Sequence, residues 1–279
     1  MGGIPLRGEL VERARDILAG RVEPVPARDA ATVVLLREGN GGEPEVYLLR
    51  RRASMAFAAG AYVFPGGGVD PRDADHTISW EGPSPAEWGR VFHTTERAAR
   101  GLVCAAVREM FEESGVLLAG PSGGSVVADT TGDDWEADRL ALIDRTLSFA
   151  DFLGERSLVL RSDLLRPWAH WITPEVENRR FDTRFFVAAL PPGQRPRDVG
   201  GEADQVAWVR PADALEDSRR GRILLMSPTR RTLREISAHR TVADVLAAER
   251  EIVTFMPGVV EVDGEMRIVL DDDHGSGAA

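Results

Sequence analysis

The sequence predicts an α+β fold, a mixed β-sheet sandwiched between helices. Three observations carry this. Strand-like and helix-like segments are mixed without the regular alternation of a doubly wound parallel sheet. Short apolar runs come in pairs joined by Gly-rich or Asp-Gly turns, which is a hairpin signal. A long run of helical period occupies the middle of the chain.

The elements follow in order. Leu6, Leu10, Ala14, Ile17 and Leu18 recur at helical spacing, and Pro24 and Pro26 end that first helix. Residues 30–36 and 45–49 read as two strands around Gly39-Asn40-Gly41-Gly42. Residues 62–64 form a short strand that runs into the turn Pro65-Gly66-Gly67-Gly68. From about Asp73 to Thr95 there is no sustained period, and this stretch reads as an inserted excursion, helical near residues 85–92. Thr94 or Thr95 then caps a helix that runs through Leu102, Val103, Ala106, Val107 and Met110 to Ser114. Residues 121–134 are a polar loop, and residues 135–153 a second helical pattern. Residues 168–172, 181–190 and 205–209 are strand candidates, and a short helix opens at Pro211. Residues 228–251 hold two helices split near His239, and residues 259–262 and 266–270 form a hairpin around Asp263-Gly264. The expected organisation is an N-terminal helix and linker (1–28), a main domain (29–220, insertion about 74–95), C-terminal helices and hairpin (221–270) and a disordered tail (271–279).

The chain has 279 residues, 43% of them hydrophobic, as in ordinary globular proteins. Its net charge is −11 with all 34 basic residues arginine, so it is a poor general nucleic-acid binder. A small phosphorylated ligand remains compatible where arginines cluster. The single cysteine, Cys104, excludes an internal disulfide and a cysteine-based zinc cluster. The start, Met-Gly-Gly-Ile-Pro-Leu-Arg, lacks a secretion signal, and the longest uncharged stretch, 53–69, is too short and too broken to span a bilayer. The expectation is a cytoplasmic protein with no membrane partner. Leu233, Ile236, Val242, Val245 and Leu246 offer an apolar face, for the body of the protein or for a homodimer.

The most informative stretch is Arg108-Glu109-Met110-Phe111-Glu112-Glu113-Ser114-Gly115-Val116. At about 100° per residue, Glu112 lies roughly 60° to one side of Glu109 and Glu113 about 40° to the other. Three carboxylates on one helix face repel one another. A hard divalent cation such as Mg²⁺ or Mn²⁺ turns that cost into a binding site. Gly115 supplies the left-handed residue that ends a helix.

Gly67, Asp73 and Arg108-Glu109 through Gly115-Val116, with Gly66 beside them, resemble the Nudix box, in which Gly, five residues, Glu and seven residues precede Arg-Glu-U-x-Glu-Glu-x-Gly-U, U being aliphatic. Asp73 stands where that family has Glu. The gap from Asp73 to Arg108 holds 34 residues (108 − 73 − 1) instead of seven. Residues 48–57 and 60–67, together with Trp171-Ile172-Thr173-Pro174 and Arg179 to Phe186, resemble the branch of coenzyme A diphosphatases whose box is interrupted.

The resemblance implies a Nudix fold with an insertion in the box and extra C-terminal helices. It implies metal-assisted hydrolysis of a diphosphate in a small phosphorylated substrate, with metal on Glu109, Glu112 and Glu113. Glu112, Glu109 or the later loop residue Glu202 serves as base, and Arg108 is an orienting arginine. Asp73, Glu96 and Glu112 compete as its carboxylate partner. Arg50, Arg51, Arg52, Arg179 and Arg180 are the phosphate-binding candidates, because guanidinium forks suit oxygen pairs. Coenzyme A is the expected substrate. The rivals are a broad hydrolase of ADP-ribose, NADH or dinucleoside polyphosphates, and a non-catalytic nucleotide-binding module.

Overall fold

The computed structural model describes residues 3–52, 59–122, 124–197 and 203–269. In chain order its elements are β1 (Ile4–Pro5), α1 (Glu9–Leu18), β2 (Arg28–Glu38), β3 (Pro44–Arg51), β4 (Ala61–Val63), β5 (Gly66–Gly68), β6 (Trp80–Glu81), α2 (Pro85–Val91), α3 (Glu96–Ser114), β7 (Ala119–Gly120), α4 (Asp133–Ile143), α5 (Phe149–Glu155), β8 (Val159–Arg161), β9 (Arg166–Ile172), β10 (Phe181–Ala189), β11 (Ala203–Val209), α6 (Pro211–Arg219), β12 (Leu224–Leu225), α7 (Ser227–Ile236), α8 (Val242–Ala247), β13 (Thr254–Phe255), β14 (Gly258–Val262) and β15 (Glu265–Val269). Contacts divide the chain into two units, Ala30–Ala169 with Arg184–Ile252, and Met1–Asp29 with His170–Thr183 and Val253–Ala279.

The larger unit is α+β. Its sheet runs β12-β4-β3-β2-β10-β9, with β11 also on β3 and β5 on β2. β12 is parallel to β4, whereas β2, β4 and β11 are antiparallel to β3, so the sheet is mixed. The continuous run Val33-Val34-Leu35-Leu36 suits a central strand buried on both faces, and all four residues are buried. Val33 and Leu35 join Tyr47, Leu49 and the apolar side of α3 in one core. The apolar face of α7 and α8 is also buried in this unit, at Leu233, Ile236, Val242 and Val245.

The insertion is built into this core. Trp88 and Phe92 stack at 5.9 Å, and both meet the edge of Phe186 on β10, at 5.5 and 5.2 Å. Its strand β6 pairs with β8, which also pairs with β7. Two other elements differ from the sequence expectation. The helical pattern over 135–153 is two helices: Arg145 has φ 59°, and the Ser148 hydroxyl caps α5 by accepting from the Asp151 amide at 3.1 Å. Residues 66–68, expected as a turn, form a strand on β2, with Ala31 opposite Gly67.

In the smaller unit β1, β15 and β14 make a three-stranded sheet. Asp263 and Gly264 (φ 52° and 80°) close its hairpin as a turn that needs two positive φ values. Ala14 of α1, Val176 and Met266 form its core. Contacts thus group the two ends of the chain, which the linear division at residues 28 and 220 separates. The reason is the pairing of Ile4 with Ile268, at great sequence distance. The expected tail, 271–279, lies outside the described residues. Among these residues no helix is long and apolar enough to cross a membrane.

Candidate active site

The site is built on α3. Thr95 caps it, its hydroxyl accepting from the Ala98 amide at 3.2 Å. Gly115 (φ 73°) ends it. Three distant groups then fix the last turn. The buried Arg139 guanidinium donates to the Glu112 carbonyl at 2.6 Å, a cation at the negative end of the helix dipole. The Thr130 hydroxyl donates to the Gly115 carbonyl at 2.6 Å. The Arg197 amide donates to the Ser114 carbonyl at 3.1 Å. The turn that carries Glu112 and Glu113 is therefore held by residues 15 or more positions away.

β5 lies against this helix. The Gly66 amide donates to Glu113 Oε2 at 2.8 Å. A Cβ on Gly67 would stand 2.5 Å from Glu109 Cδ, so any side chain here would displace that carboxylate from its place beside Arg108. A Cβ on Gly66 would meet the Ala31 carbonyl, and would stand 2.7 Å from Thr32 Oγ1. Gly66→Ala is expected to lower stability by about 1–3 kcal/mol, since a backbone carbonyl cannot move aside cheaply. Thermal unfolding checks this, and an unchanged melting temperature would contradict the packing described.

Arg108 is the hub. Its Nε and Nη2 donate to the two Asp73 carboxylate oxygens, both at 2.9 Å. Its Nη1 donates to Glu109 Oε1 at 2.7 Å and Glu112 Oε1 at 3.0 Å, and Nη2 also reaches the Gly68 carbonyl at 3.0 Å. Asp73 is buried and accepts the Asp70 amide at 2.8 Å as part of a capping box. Of the three carboxylates weighed as partners, Asp73 makes the fork and Glu112 a single bond. Glu96 lies exposed at the other end of the helix, about 18 Å along its axis. The 34 intervening residues leave and return without parting the two halves of the motif.

The electrostatics leave a deficit of positive charge: Asp73, Glu109 and Glu112 all bond one guanidinium, and Glu113 adds a fourth carboxylate on the same helix turn. Burial, helped by the charges of Glu112 and Asp73, pushes the Glu109 carboxyl up to about 7 even though Arg108 pulls it down. Burial also raises Glu112. Burial alone would depress the Arg108 guanidinium, but its hydrogen bonds to Asp73 and the charges around it hold it above its ordinary value.

Among the described residues no three His, Cys, Asp or Glu side chains stand as a ready-made metal shell. Glu109 and Glu112 are turned to Arg108 and Glu113 to Gly66. The donor chemistry nevertheless fits a hard divalent cation: oxygen ligands only, with an excess of negative charge. The Glu109 proton must leave before its oxygens can coordinate a metal. Divalent-cation affinity is therefore expected to rise with pH through about 7 and level off above it. Mn²⁺ titrations at pH 6 and 8 check this, and equal affinities would count against Glu109 as a ligand. The sign for stability is the opposite. With its folded pKa raised, Glu109 favours the metal-free fold at low pH and loses that contribution as pH rises through about 7.

Arg50 and Arg51 end β3, beside Tyr62 and Ala203 respectively, and Arg52 follows them. They share the larger unit with the carboxylate helix. Arg179 and Arg180 belong to the smaller unit. There Arg179 lies 5.2 Å from the Phe181 ring centre. The buried Arg180 donates to the Thr173 and Val25 carbonyls and reaches the Met256 sulfur, which makes it a brace. Glu202 lies outside the described residues. Arg139, Thr130 and Arg197 escaped the sequence reading because their partners are backbone carbonyls remote in sequence.

A family model described as the NUDT19 Nudix domain matches residues 95–236. Acyl-coenzyme A diphosphatase NUDT19 of Xenopus laevis is 26% identical over 239 residues, covering 69% of this chain and 59% of that protein. The Homo sapiens protein of that name is 28% identical over 236 residues, covering 71% and 62%. Putative nudix hydrolase 7 of Caenorhabditis elegans is 27% identical over 201 residues, covering 72% and 57%. The match thus spans less than two thirds of each of these relatives. Among solved structures, a Nudix hydrolase from Alicyclobacillus acidocaldarius superposes with a TM-score of 0.68 at 26% identity, covering 81% of this chain and 98% of that one. With its interrupted box closed around Arg108 and more than half its length matched, this chain belongs to the Nudix family, in the branch of the NUDT19 Nudix domain.

Proposed function

We propose that the chain is a metal-dependent diphosphatase that cleaves coenzyme A or acyl-coenzyme A to 3′,5′-ADP and (acyl-)4′-phosphopantetheine. The observation that carries the chemistry is the set of three carboxylates bonded to Arg108, with Glu113 on the same helix turn held by the Gly66 amide. A purely nucleotide-binding module has no use for so costly a cluster of acids. The choice of substrate is supported by the similarity to acyl-coenzyme A diphosphatases and by the sequence pattern over residues 48–67 and 171–186.

Glu109, Glu112 and Glu113 would hold Mg²⁺ or Mn²⁺. The bound ions would neutralise the diphosphate, lower the pKa of a water and offset charge on the leaving oxygen. The chain's own groups do the rest. Arg108, fixed by the Asp73 fork, orients Glu109 and Glu112. The Gly66 amide fixes Glu113. Glu112 or Glu109 takes the proton of the attacking water, with Glu202 as the candidate from a later loop. Burial raises both Glu109 and Glu112, which brings such a base closer to neutral pH.

The test is a substrate panel with Mg²⁺ or Mn²⁺: coenzyme A, acyl-coenzyme A, ADP-ribose, NADH and diadenosine polyphosphates, with products identified by mass. Cleavage of the coenzyme A species to the two named products is expected. Turnover of ADP-ribose without coenzyme A would replace this reading with the broad hydrolase. Binding without turnover of any diphosphate would leave a non-catalytic module.

A further inference from the structure

A second feature of the larger unit lies outside the Nudix motif. A cleft of about 780 Å³ opens where α6 gives way to β12 and α7. This is the size of a small-molecule site. Arg219, Arg222, Arg230 and Arg234 line it, with Leu215 and Leu224 among the apolar residues between them. Four guanidinium groups on one cleft are out of keeping with a chain of net charge −11. Among the described residues no acidic side chain lines the cleft.

These arginines are weakly engaged. Arg219 and Arg222 pair with Glu216 and Asp217 of α6, as exposed ion pairs. Such pairs contribute little, so a phosphate can displace the carboxylates. Arg230 makes one long bond, 3.3 Å, to the Leu225 carbonyl. Arg234 has no carboxylate partner among the described residues.

The cleft is tied to the carboxylate helix through the sheet. Leu224 and Leu225 of β12 pair with Ala61 and Tyr62 of β4. Four residues on from Tyr62 the chain reaches Gly66, whose amide holds Glu113. Four residues span at most about 14 Å. A ligand with its diphosphate at α3 can therefore extend a second phosphate toward the cleft. Coenzyme A carries such a group, the 3′-phosphomonoester of its adenosine half.

We propose that the Arg219–Arg222–Arg230–Arg234 cleft binds the 3′-phosphomonoester of the substrate's nucleotide half, an assignment that rests on the coenzyme A reading above. The arginines supply forked donors to the phosphate, and Leu215 and Leu224 supply apolar contact for the nucleoside beside it. Discrimination then lies between nucleotides with and without the 3′-phosphate.

The experiment compares the wild-type chain with an Arg222→Ala/Arg230→Ala/Arg234→Ala variant, whose exposed positions leave the fold intact by circular dichroism. Calorimetry measures binding of 3′,5′-ADP and of 5′-AMP. Kinetics with Mg²⁺ measure KM for coenzyme A and for 3′-dephospho-coenzyme A. The wild type is expected to bind 3′,5′-ADP about tenfold or more tightly than 5′-AMP, and the variant to lose that preference. KM for coenzyme A should rise to match, with KM for the dephospho form unmoved. A variant that keeps the wild-type preference overturns the cleft assignment, and does so while leaving the activity intact if coenzyme A is still cleaved. A wild type that cleaves neither compound, yet loses its 3′,5′-ADP preference in the variant, sinks the coenzyme A activity and retains the phosphomonoester site. Equal losses for 3′,5′-ADP and 5′-AMP overturn the assignment to the 3′-phosphate.

Discussion

Glu113→Gln is expected to cut diphosphate hydrolysis by at least about 100-fold, with the fold unchanged. The size follows from losing a charged metal ligand, when even the loss of groups that merely orient ligands typically costs about 10–100-fold. The preserved fold follows from the contact Glu113 makes. It accepts the Gly66 amide at 2.8 Å, and the amide oxygen of glutamine can accept it as well. The substitution therefore removes charge while keeping the tie between α3 and β5. Circular dichroism and thermal unfolding report the fold, and the Mg²⁺-dependent rate reports the site. Full activity in a folded variant would contradict the metal role of this residue.

Asp73→Ala is expected to act the other way, mainly on stability. It removes both acceptors of the Arg108 fork and the acceptor of the Asp70 amide. Arg108 is then left nearly buried with its strongest partner gone. Breaking a buried pair on one side costs about 3–5 kcal/mol. For a chain of this size that is a drop in melting temperature on the order of 10 °C. Activity should fall too, because Glu109 and Glu112 lose the arginine that fixes them. Denaturant unfolding measures the first effect and turnover below the new melting temperature the second. A variant as stable as the wild type would mean that Arg108 is held by its glutamates alone.

What could be read from the sequence is what local chemistry decides. α3 was legible from end to end because Thr95 caps it, Gly115 ends it and its apolar residues repeat at helical spacing. The Asp263-Gly264 hairpin was legible because few other dipeptides accept two positive φ values. The carboxylate triplet was legible because three charges on one face carry a cost that calls for a reason. Most of the misses depend on long-range pairing, the exception being the local break at Arg145 and Ser148 between α4 and α5. Gly66–Gly68 carries no strand signal, and becomes a strand because β2 supplies hydrogen bonds and leaves no room for a Cβ on Gly66. β6, β7 and β8 are two or three residues each and pair across 39 or more positions. The Arg108 fork spans 35 residues, so the sequence left Asp73, Glu96 and Glu112 competing, and helix geometry alone removes only Glu96. Arg139 carries no local signal of its role, yet it is buried with its guanidinium on the Glu112 carbonyl.

The central claim is that α3 is the metal site of a diphosphatase. The most direct measurement is coenzyme A cleavage during a Mn²⁺ titration, run on the wild-type chain and on a Glu109→Gln/Glu112→Gln/Glu113→Gln variant, with products weighed by mass spectrometry. The account predicts 3′,5′-ADP and 4′-phosphopantetheine from the wild type in proportion to bound Mn²⁺, and neither product from the variant. Mn²⁺-dependent release of both products by the variant would contradict it.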